Sequence, residues 1–424
     1  MRKSLKVRLR VFKILIDIYK KNTKFDELFL YTTKSRDFLE SDKAFINNVC
    51  LYSMRYKFHI DIILKLYLKK KSKTNEYILL LNSITQILYL NFKDYAVIND
   101  SVDVAKKINV YPGLINATLK KISSDKLRLK DININNTHLP FWFQKQSSGI
   151  EKSLLNKFTN TFFKKPNLHI VFKSDLHMKD FKENYFKSTN RSAFLLDSMR
   201  IEKIHNFKKG SWWVQDFSAM LPISLIKNLK EKKVVDLCSA PGGKTFQLLT
   251  AGKNITSNDR NAKRIFRLKE NLKRLRFNSP VLNYDILKNN IKGKFDFVVL
   301  DAPCSSIGTI RKNPEIFFNS AGPEFNKIIK YQNSLLLQAS KILKNNGILL
   351  YMVCSFFHSE TTDQIKNFLK TNKEFSISKF DNKFLDKETK ELIHKDGYIY
   401  IVPSYYKKFL IDGFFAVKLK KNEN

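Results

Sequence analysis

The stretch Val234-Val-Asp-Leu-Cys-Ser-Ala-Pro-Gly-Gly-Lys-Thr245 decides the fold of this chain. Its apolar start is typical of a buried parallel strand, and a Pro-Gly-Gly turn separates it from a helix-like segment that begins at Phe246. In α/β sheets, a ligand normally binds where a strand ends and a helix begins, because glycines let the main chain approach the ligand closely. The Gly-x-x-x-x-Gly-Lys spacing of a phosphate loop is absent. The loop therefore predicts a nucleoside-type cofactor held by backbone amides and a carboxylate, and a simple structural bend is the alternative.

Strand and helix patterns alternate on both sides of this loop, from Gly210 to the end of the chain. The predicted strands are 254–259, 281–285, 295–301 and 347–355, the predicted helices are 261–275, 323–343 and 359–369, and 398–402 with 414–418 form a predicted antiparallel pair. Alternation of this kind, with short connections, predicts a doubly wound α/β sheet.

Acidic residues stand at the ends of four successive predicted strands: Asp236, Asp259, Asp285 and Asp301. Because the carboxyl ends of parallel strands meet at one edge of the sheet, we expect these side chains to line one crevice. Asp259 follows the glycine turn by the spacing that suits a carboxylate binding ribose hydroxyls. Each acid alone could equally be a helix cap or a turn residue.

Two of the four cysteines, Cys304 and Cys354, follow the strands 295–301 and 347–355. If those strands are neighbours, the ladder spacing of ~4.8 Å places both thiols in one pocket. Buried structural cysteines are the alternative, and this is the interpretation for Cys50 and for Cys238 inside the loop. No Cys-x-x-Cys or Cys/His pair is present, so the sequence predicts no metal site.

Residues 1 to about 128 are predicted to be helical. Val7, Val11, Ile14, Leu15 and Ile18 fall on one helical face, and 78–89 is apolar enough for the centre of a helix bundle. We expect Asn99-Asp-Ser101 to cap the following helix. This part is either a plain bundle or a basic bundle that holds RNA.

The polar, turn-rich segment 131–140 marks a predicted domain boundary. In the middle segment that follows, Leu168–Lys173 alternates like a strand, and 175–185 is predicted to contain a short helix. Aromatic and cationic residues interleave here, among them Phe162, Phe163, Phe172 and Phe181. Such a pattern suits base stacking beside phosphate contacts, although phenylalanine at strand spacing is more often part of a core.

The charge of the whole chain is strongly positive, with 77 Lys+Arg against 39 Asp+Glu and a net charge of +38. A charge of this size favours a polyanionic partner, and nucleic acid is the usual one. The basic start offers no clean signal-peptide core, and no apolar run approaches the ~20 residues that cross a bilayer. We expect a cytoplasmic protein with reduced thiols, no membrane partner and a monomeric state.

Three motifs resemble those of RNA cytosine-5 methyltransferases: Asp-Leu-Cys-Ser-Ala-Pro-Gly-Gly-Lys-Thr (236–245), Asp-Ala-Pro-Cys-Ser (301–305) and Tyr-Met-Val-Cys-Ser (351–355). Nearly the whole chain is similar to the bacterial 16S ribosomal RNA methyltransferases of the Fmu/Sun type. The resemblance implies three domains: an all-α NusB-like RNA-binding domain (1–130), a small α+β connecting segment (131–209), and a class I, Rossmann-like S-adenosylmethionine-dependent methyltransferase domain (210–424).

The resemblance also implies roles for individual residues. Asp259 would hold the ribose of S-adenosylmethionine with Arg264 nearby, Asp285 would contact the adenine, and Asp301 would face both the methyl donor and the base. Cys354 would be the nucleophile, and Cys304 would assist product release. The residues that would wrap the cofactor are Cys238, Ser239, Ala240, Pro241, Gly242, Gly243 and Lys244. Two departures are Val353, where the family often has threonine, and Ile170-Val-Phe-Lys173, where it usually has Arg-Val-Asn.

Methylation at C5 of cytosine explains why two thiols are needed. C5 is a weak nucleophile, and a thiolate that adds to C6 makes C5 enamine-like. We expect Lys244 to help lower the pKa of Cys354, and the Asp301 carboxyl to donate a proton at N3. The target base must leave any helix to reach the crevice, which favours unpaired RNA.

Three alternatives to this function stay open. They are the same chemistry on transfer RNA, a ribosomal RNA-binding assembly factor without catalysis, and DNA cytosine methylation. The second crevice thiol argues against DNA as the partner, because DNA enzymes carry the nucleophile in a Pro-Cys motif like Pro303-Cys304.

Overall fold

The computed structural model describes residues 2–21, 23–34, 38–197, 199–289, 291–318, 321–383 and 385–423. The chain divides into two compact units. The first contains Met1–Lys145, Phe162–Lys164 and Ile310–Gly322, and the second contains Gln146–Thr161, Lys165–Thr309 and Pro323–Asn424. Domain boundaries at residues 130 and 209 stay a prediction.

The first unit is built from α-helices, as its apolar periodicity predicts. The residues of the predicted face of the first helix are all buried, and every residue from Ile78 to Leu88 is buried. The stability of such helices comes more from tertiary packing of their apolar faces than from the intrinsic helix propensity of their residues. The helices are α1 (Lys3–Lys21), α2 (Phe25–Thr33), α3 (Glu40–Arg55), α4 (Lys57–Tyr67), α5 (Thr74–Leu88), α6 (Asp94–Lys107), α7 (Pro112–Ser124) and α8 (Lys126–Leu129).

The prediction that Asn99-Asp-Ser101 caps a helix is wrong, because these residues lie in the middle of α6. Ser101 is buried, its Oγ donates to the carbonyl oxygen of Val97 at 2.6 Å, and it lies 2.7 Å from Ser83 Oγ. Its hydroxyl therefore finds partners inside the bundle, which removes the competition that usually drives serine to a helix end.

Short elements open the second unit. A 3-10 turn at Asn136–His138 and α9 (Phe141–Gln146) precede it, and it continues with α10 (Lys152–Thr159), β1 (His169–Phe172), α11 (Asp175–Lys179), β2 (Tyr185–Thr189), β3 (Ser192–Leu195) and β4 (Trp212–Val214). The strands form a four-stranded sheet in the order β2-β3-β1-β4. Base stacking by Phe162, Phe172 and Phe181 is contradicted, because all three rings are buried. Phe163 is only partly buried, but its ring packs edge-on against His59, 4.6 Å between centroids, inside the first unit.

The remaining elements form the predicted α/β region, which contains an eight-stranded sheet with its helices and a separate two-stranded sheet. They are α12 (Phe217–Ser224), β5 (Val234–Leu237), α13 (Gly243–Ala251), β6 (Ile255–Asn258), α14 (Ala262–Leu275), β7 (Val281–Leu282), β8 (Phe295–Asp301), α15 (Phe325–Lys341), β9 (Leu343–Val353), α16 (Thr362–Thr371), β10 (Phe375–Ser378), α17 (Lys387–Lys390), β11 (Ile399–Ile401), β12 (Ser404–Tyr406), β13 (Phe409–Ile411) and β14 (Phe414–Lys421).

The large sheet has eight strands in the order β10-β14-β9-β8-β5-β6-β7, with β11 paired to β14. Strands β5 to β9 run parallel, and β14 pairs antiparallel with β9. Val234 and Val235 are both fully buried on opposite faces, which explains the continuous apolar run. Strands β8 and β9 are direct neighbours, with Asp301 opposite Met352, so the residues that follow them meet at one edge of the sheet.

No helix among the described ranges is long and apolar enough to cross a membrane.

Candidate active site

The loop between β5 and α13 is fixed by hydrogen bonds to the end of the neighbouring strand β6 and to the residue that follows it. The amide of Ser239 donates to the carbonyl oxygen of Asn258 at 3.0 Å, and the amide of Ala240 donates to Asp259 Oδ2 at 3.2 Å. Ser239 and Ala240 are buried, whereas Pro241 is exposed and Gly243 and Lys244 are partly buried. The loop therefore presents its second half, at the N-terminus of α13, to the edge of the sheet.

Positions 242 and 243 are occupied by glycine for different structural reasons. Gly242 has a φ of 116°, and a Cβ at this position would lie 2.2 Å from the Phe246 ring. At Gly243 the nearest atom, Gln215 Cδ, would lie 3.4 Å away, which is an ordinary contact. Gly242 is therefore required by the fold itself. At Gly243 the protein has room for a side chain, so close approach by a ligand is the remaining explanation for a glycine there.

Asp259 is almost fully buried beside the loop, at 2% exposure. Its Oδ1 accepts from the amide of Asn261 at 2.9 Å, and Arg264 Nη1 lies 3.5 Å from its Oδ2. Arg264 also donates to the carbonyl oxygen of Ala240. The acid and the arginine thus link the loop to the start of α14, and Asp259 Oδ1, which accepts one hydrogen bond, keeps a lone pair for a further donor.

Asp285 does not end a strand, because β7 stops at Leu282. It begins a turn, in which its Oδ1 accepts from the amide of Leu287 at 3.1 Å and its carbonyl accepts from the amides of Lys288 and Asn289. The side chain is partly buried.

Asp236 lies inside β5 and is fully buried, so the expectation that it lines the crevice is wrong. Its Oδ2 accepts from Thr245 Oγ1 at 2.6 Å, and burial raises its pKa to about 7. It joins strand and helix beneath the loop.

Lys244 and Asp301 form an ion pair, with 2.6 Å between Nζ and Oδ2. Burial lowers the pKa of Lys244, but the Asp301 carboxylate, together with Cys354 and Asp236, raises it by more, so the net shift is upward. The pair thus places a firmly charged ammonium group beside the last residue of β8.

Cys304 and Cys354 are brought together, with 3.0 Å between their sulfur atoms. The pKa of Cys354 is lowered, first because the Cys304 thiol donates a hydrogen bond to its sulfur and less because of Ser306 and Lys244, against burial and Asp301, which raise it. The pKa of Cys304 is raised by the same hydrogen bond and by burial. The contact between the two sulfurs therefore shifts their pKa values in opposite directions, down at Cys354 and up at Cys304.

The other cysteines are unlike this pair. Cys50 is fully buried in the helical core. Cys238 is partly buried at a φ of 59°, and burial raises its pKa to about 12. Neither sulfur has the environment of a reactive thiolate.

Glu360 is a fully buried carboxylate that sequence reasoning missed. Its Oε1 accepts from the amide of Ser305 at 2.8 Å and from Gln332 Nε2 at 3.0 Å, and its Oε2 accepts from the hydroxyls of Ser305 and Ser355, both at 2.6 Å. Because these serines follow Cys304 and Cys354 directly, Glu360 ties the two cysteine loops together. The only sequence signal is the repeated Cys-Ser pair. His358, in the same turn, packs against Tyr400, 5.9 Å between ring centroids.

The groups at this edge fit S-adenosylmethionine, because the N-terminus of α13 has no side-chain cap and the carboxylates of Asp259 and Asp285 can accept from hydroxyl and amine groups. Among the described residues, no group of three or more histidines, cysteines or acids could hold a metal ion.

Comparisons with known proteins identify the two parts of the chain. Residues 223–420 match the family model described as 16S rRNA methyltransferase RsmB/F, and residues 5–124 match the NusB family. The ribosomal RNA small subunit methyltransferase B of Photorhabdus laumondii is 29% identical over 84% of each chain. That of Pectobacterium carotovorum is 25% identical over 93% of this chain and 94% of its own.

Two solved structures share the fold. PH0851 superposes with a TM-score of 0.68 at 20% identity, covering 97% of this chain and 98% of its own. NSun6 from Pyrococcus horikoshii superposes with a TM-score of 0.55 at 16% identity, covering 66% of this chain and 97% of its own.

Fold and family together define an S-adenosylmethionine-dependent RNA methyltransferase. Its sheet domain matches the family model of the 16S rRNA methyltransferases RsmB/F, and its helical N-terminal part matches that of the NusB family.

Proposed function

We propose that this enzyme methylates C5 of a cytosine in 16S ribosomal RNA through a covalent bond between Cys354 and C6. The observation that carries the proposal is the pair of sulfurs 3.0 Å apart, one with a lowered and one with a raised pKa, beside the Lys244–Asp301 ion pair. Addition to C6 needs one thiolate, and a second thiol beside it is placed to assist the later elimination. The choice of 16S ribosomal RNA rests on the family description and on the names of the relatives.

S-adenosylmethionine would supply an electrophilic methyl group, and it would leave as S-adenosylhomocysteine with the electron pair of the broken sulfur–methyl bond. In the proposed chemistry the Cys354 thiolate attacks C6, a sulfur–carbon bond forms, and the displaced electron pair makes C5 nucleophilic. After C5 has gained the methyl group it loses its proton to a base, the electron pair restores the C5–C6 double bond, and the bond to Cys354 breaks. Cys304, 3.0 Å from the leaving sulfur, is placed to assist that last step.

We propose further roles for the surrounding residues. The loop from Cys238 to Lys244 wraps the cofactor, Asp259 with Arg264 holds its ribose, and Asp285 contacts its adenine. Asp301 faces the reacting base, oriented by Lys244 at 2.6 Å. The cytosine is taken up unpaired or flipped out of a helix, because a thiolate cannot reach C6 within a stack. The enzyme acts as a monomer.

The test compares two single variants. Cys354→Ala is expected to abolish methyl transfer, by more than about a thousandfold, because no thiolate remains to add to C6. Cys304→Ala is expected to accumulate a protein–RNA adduct that survives denaturing electrophoresis. The substrate is identified by mapping 5-methylcytosine in ribosomal and transfer RNA from cells with and without the gene.

Three results would contradict the proposal. Adduct formation by Cys354→Ala would reverse the roles of the two thiols. A 5-methylcytosine lost only from transfer RNA would keep the chemistry and overturn the substrate. Full RNA binding without any methylation by the intact enzyme would favour an assembly factor.

A further inference from the structure

The helical unit contains a pocket of about 930 Å³, formed entirely by the first unit. We call it the lysine–aromatic pocket. Its walls come from α4, from the turn between α4 and α5, and from the segment around Phe141, and it is lined by Lys65, Lys69, Lys70, Lys71, Phe58 and Phe141 among others. No chemistry assigned above uses it.

The charge of this pocket is unbalanced. Lys57 is the one lysine of the lining with an acidic partner among the described residues, 2.6 Å from Asp61 Oδ2. Asp61 is also the one acid of the described lining, and its Oδ1 already accepts from Tyr77 OH at 2.8 Å. Lys65 and the run Lys69–Lys71 therefore present positive charge that no carboxylate of the described lining offsets.

Aromatic rings stand beside these lysines. Phe141 is 80% exposed at the rim, and Tyr19 is 37% exposed. Phe58, Phe317 and Phe318 are buried and support the floor, with 5.5 Å between the ring centroids of Phe58 and Phe317. A phenylalanine left so exposed in a pocket that four lysines also line matches a surface on which a base stacks while its phosphates are neutralised.

We propose that the lysine–aromatic pocket binds a single-stranded segment of RNA, with a base stacked on Phe141 and phosphates at Lys69, Lys70 and Lys71. The inference rests on the proposed RNA substrate and adds a contact outside the active site. An acidic peptide would satisfy the lysines, but it gives no reason for the exposed ring.

The test measures binding of a fluorescently labelled single-stranded RNA oligonucleotide to the full-length protein over a range of salt concentrations. The variant Lys69→Gln/Lys70→Gln/Lys71→Gln is expected to reduce the slope of log K against log salt by about 2, since each phosphate contact on a single strand contributes ~0.7. At 0.1 M salt this corresponds to binding up to about a hundredfold weaker. Phe141→Ala is expected to weaken binding about fivefold or more, with an unchanged slope.

The matched control is Lys106→Gln/Lys107→Gln/Lys120→Gln, which removes the same charge from exposed helical positions outside the pocket. Equal losses in both triple variants would overturn the proposal, because general charge would then explain the binding. Competition by poly-glutamate as effective as competition by RNA would assign the pocket to an acidic protein instead. Failure of the proposed function would give a different result. No 5-methylcytosine would then be found, while the pocket variants would still bind RNA more weakly than the native protein.

Discussion

Cys354 is the residue whose protonation state decides the proposed chemistry. The largest cause of its lowered pKa is the hydrogen bond with the Cys304 thiol 3.0 Å away, and Lys244 contributes less. Lys244 lowers this pKa as expected but contributes less than the hydrogen bond, because its ammonium group is already paired with Asp301. The ammonium charge of Lys244 is thus shared with Asp301, and the sulfur–sulfur hydrogen bond is the main cause of the lowered pKa of Cys354.

The pH dependence of Cys354 alkylation tests whether the hydrogen bond from Cys304 is the main cause of the lowered pKa. Because the folded-state pKa lies below the ordinary thiol value, thiolate forms at lower pH than in a free cysteine, and alkylation by iodoacetamide rises with pH from that lower point. In Cys304→Ala the donor is lost, so the rise is expected to move to higher pH. Cys304→Ser keeps a donor and should stay closer to the native curve. Mass spectrometry of the Cys354 peptide gives the rates, and identical curves for all three proteins would contradict the assignment.

Glu360 provides a second prediction at this scale. Replacing it by alanine leaves four buried donors without their acceptor, so the free energy of unfolding is expected to fall by about 2–5 kcal/mol. Glu360→Gln keeps one acceptor oxygen and should fold. Because the cysteine loops lose their common anchor, its kcat is expected to fall about a hundredfold while cofactor affinity stays near normal.

The control for Glu360 is Glu324→Ala, which removes an exposed carboxylate whose partner, Lys327, is also exposed. That change is expected to alter the unfolding free energy by less than about 0.5 kcal/mol. Chemical denaturation and steady-state kinetics separate the two effects. A Glu360→Gln enzyme with native kcat would show that the serines hold the loops without it.

At the scale of elements, the two glycines at the junction of β5 and α13 have different roles: one is required by the backbone, and the other leaves room for a ligand. Gly242→Ala puts a Cβ against Phe246 at a positive φ, so the free energy of unfolding is expected to fall by about 1–3 kcal/mol. Gly243→Ala meets only ordinary contacts and should change stability by less than about 0.5 kcal/mol while weakening S-adenosylmethionine binding. Denaturation and calorimetric titration measure the two quantities, and a Gly243→Ala protein with native affinity would contradict close approach of the cofactor there.

Strands with a strong local pattern are predicted well from the sequence. Phe295–Asp301 forms β8 with the predicted bounds, because apolar residues that face two covered sides leave a continuous signal. The predicted strand 281–285 shrinks to two residues, since only those reach β6. The meeting of Cys304 and Cys354 follows from strand order, which the motifs imply. Glu360 could not be found in this way, because its four hydrogen-bond donors belong to three residues in three separate segments.

The whole molecule shows what local patterns cannot reveal. Residues Ile310–Gly322 follow the Cys304 loop in sequence but belong to the helical unit. There Arg55 donates to the carbonyl oxygen of Arg311 at 2.7 Å, and Phe318 is buried in the helical core. Nothing in the composition of this segment distinguishes it from a surface loop of the sheet domain.

A chain that lacks residues 1–145 is therefore expected to aggregate, because Phe317 and Phe318, 2% and 1% exposed, lose the helices that bury them. Light scattering after purification measures this. Adding Phe317→Ser/Phe318→Ser should improve the solubility of the shortened chain, whereas the same pair in the full-length protein should lower its melting temperature. Equal aggregation with and without the serines would place the cause elsewhere.

The late position of Ile310–Gly322 also bears on the order of events at the ribosome that makes this protein. The first eight helices are translated early, but their core is complete only when Phe318 has been added, about 170 residues after Lys145. At translation speeds of about 5–20 residues per second, this interval lasts roughly ten to thirty-five seconds. During that time the nascent bundle exposes the apolar surface that Phe318 later covers, and we expect chaperones to bind such a surface.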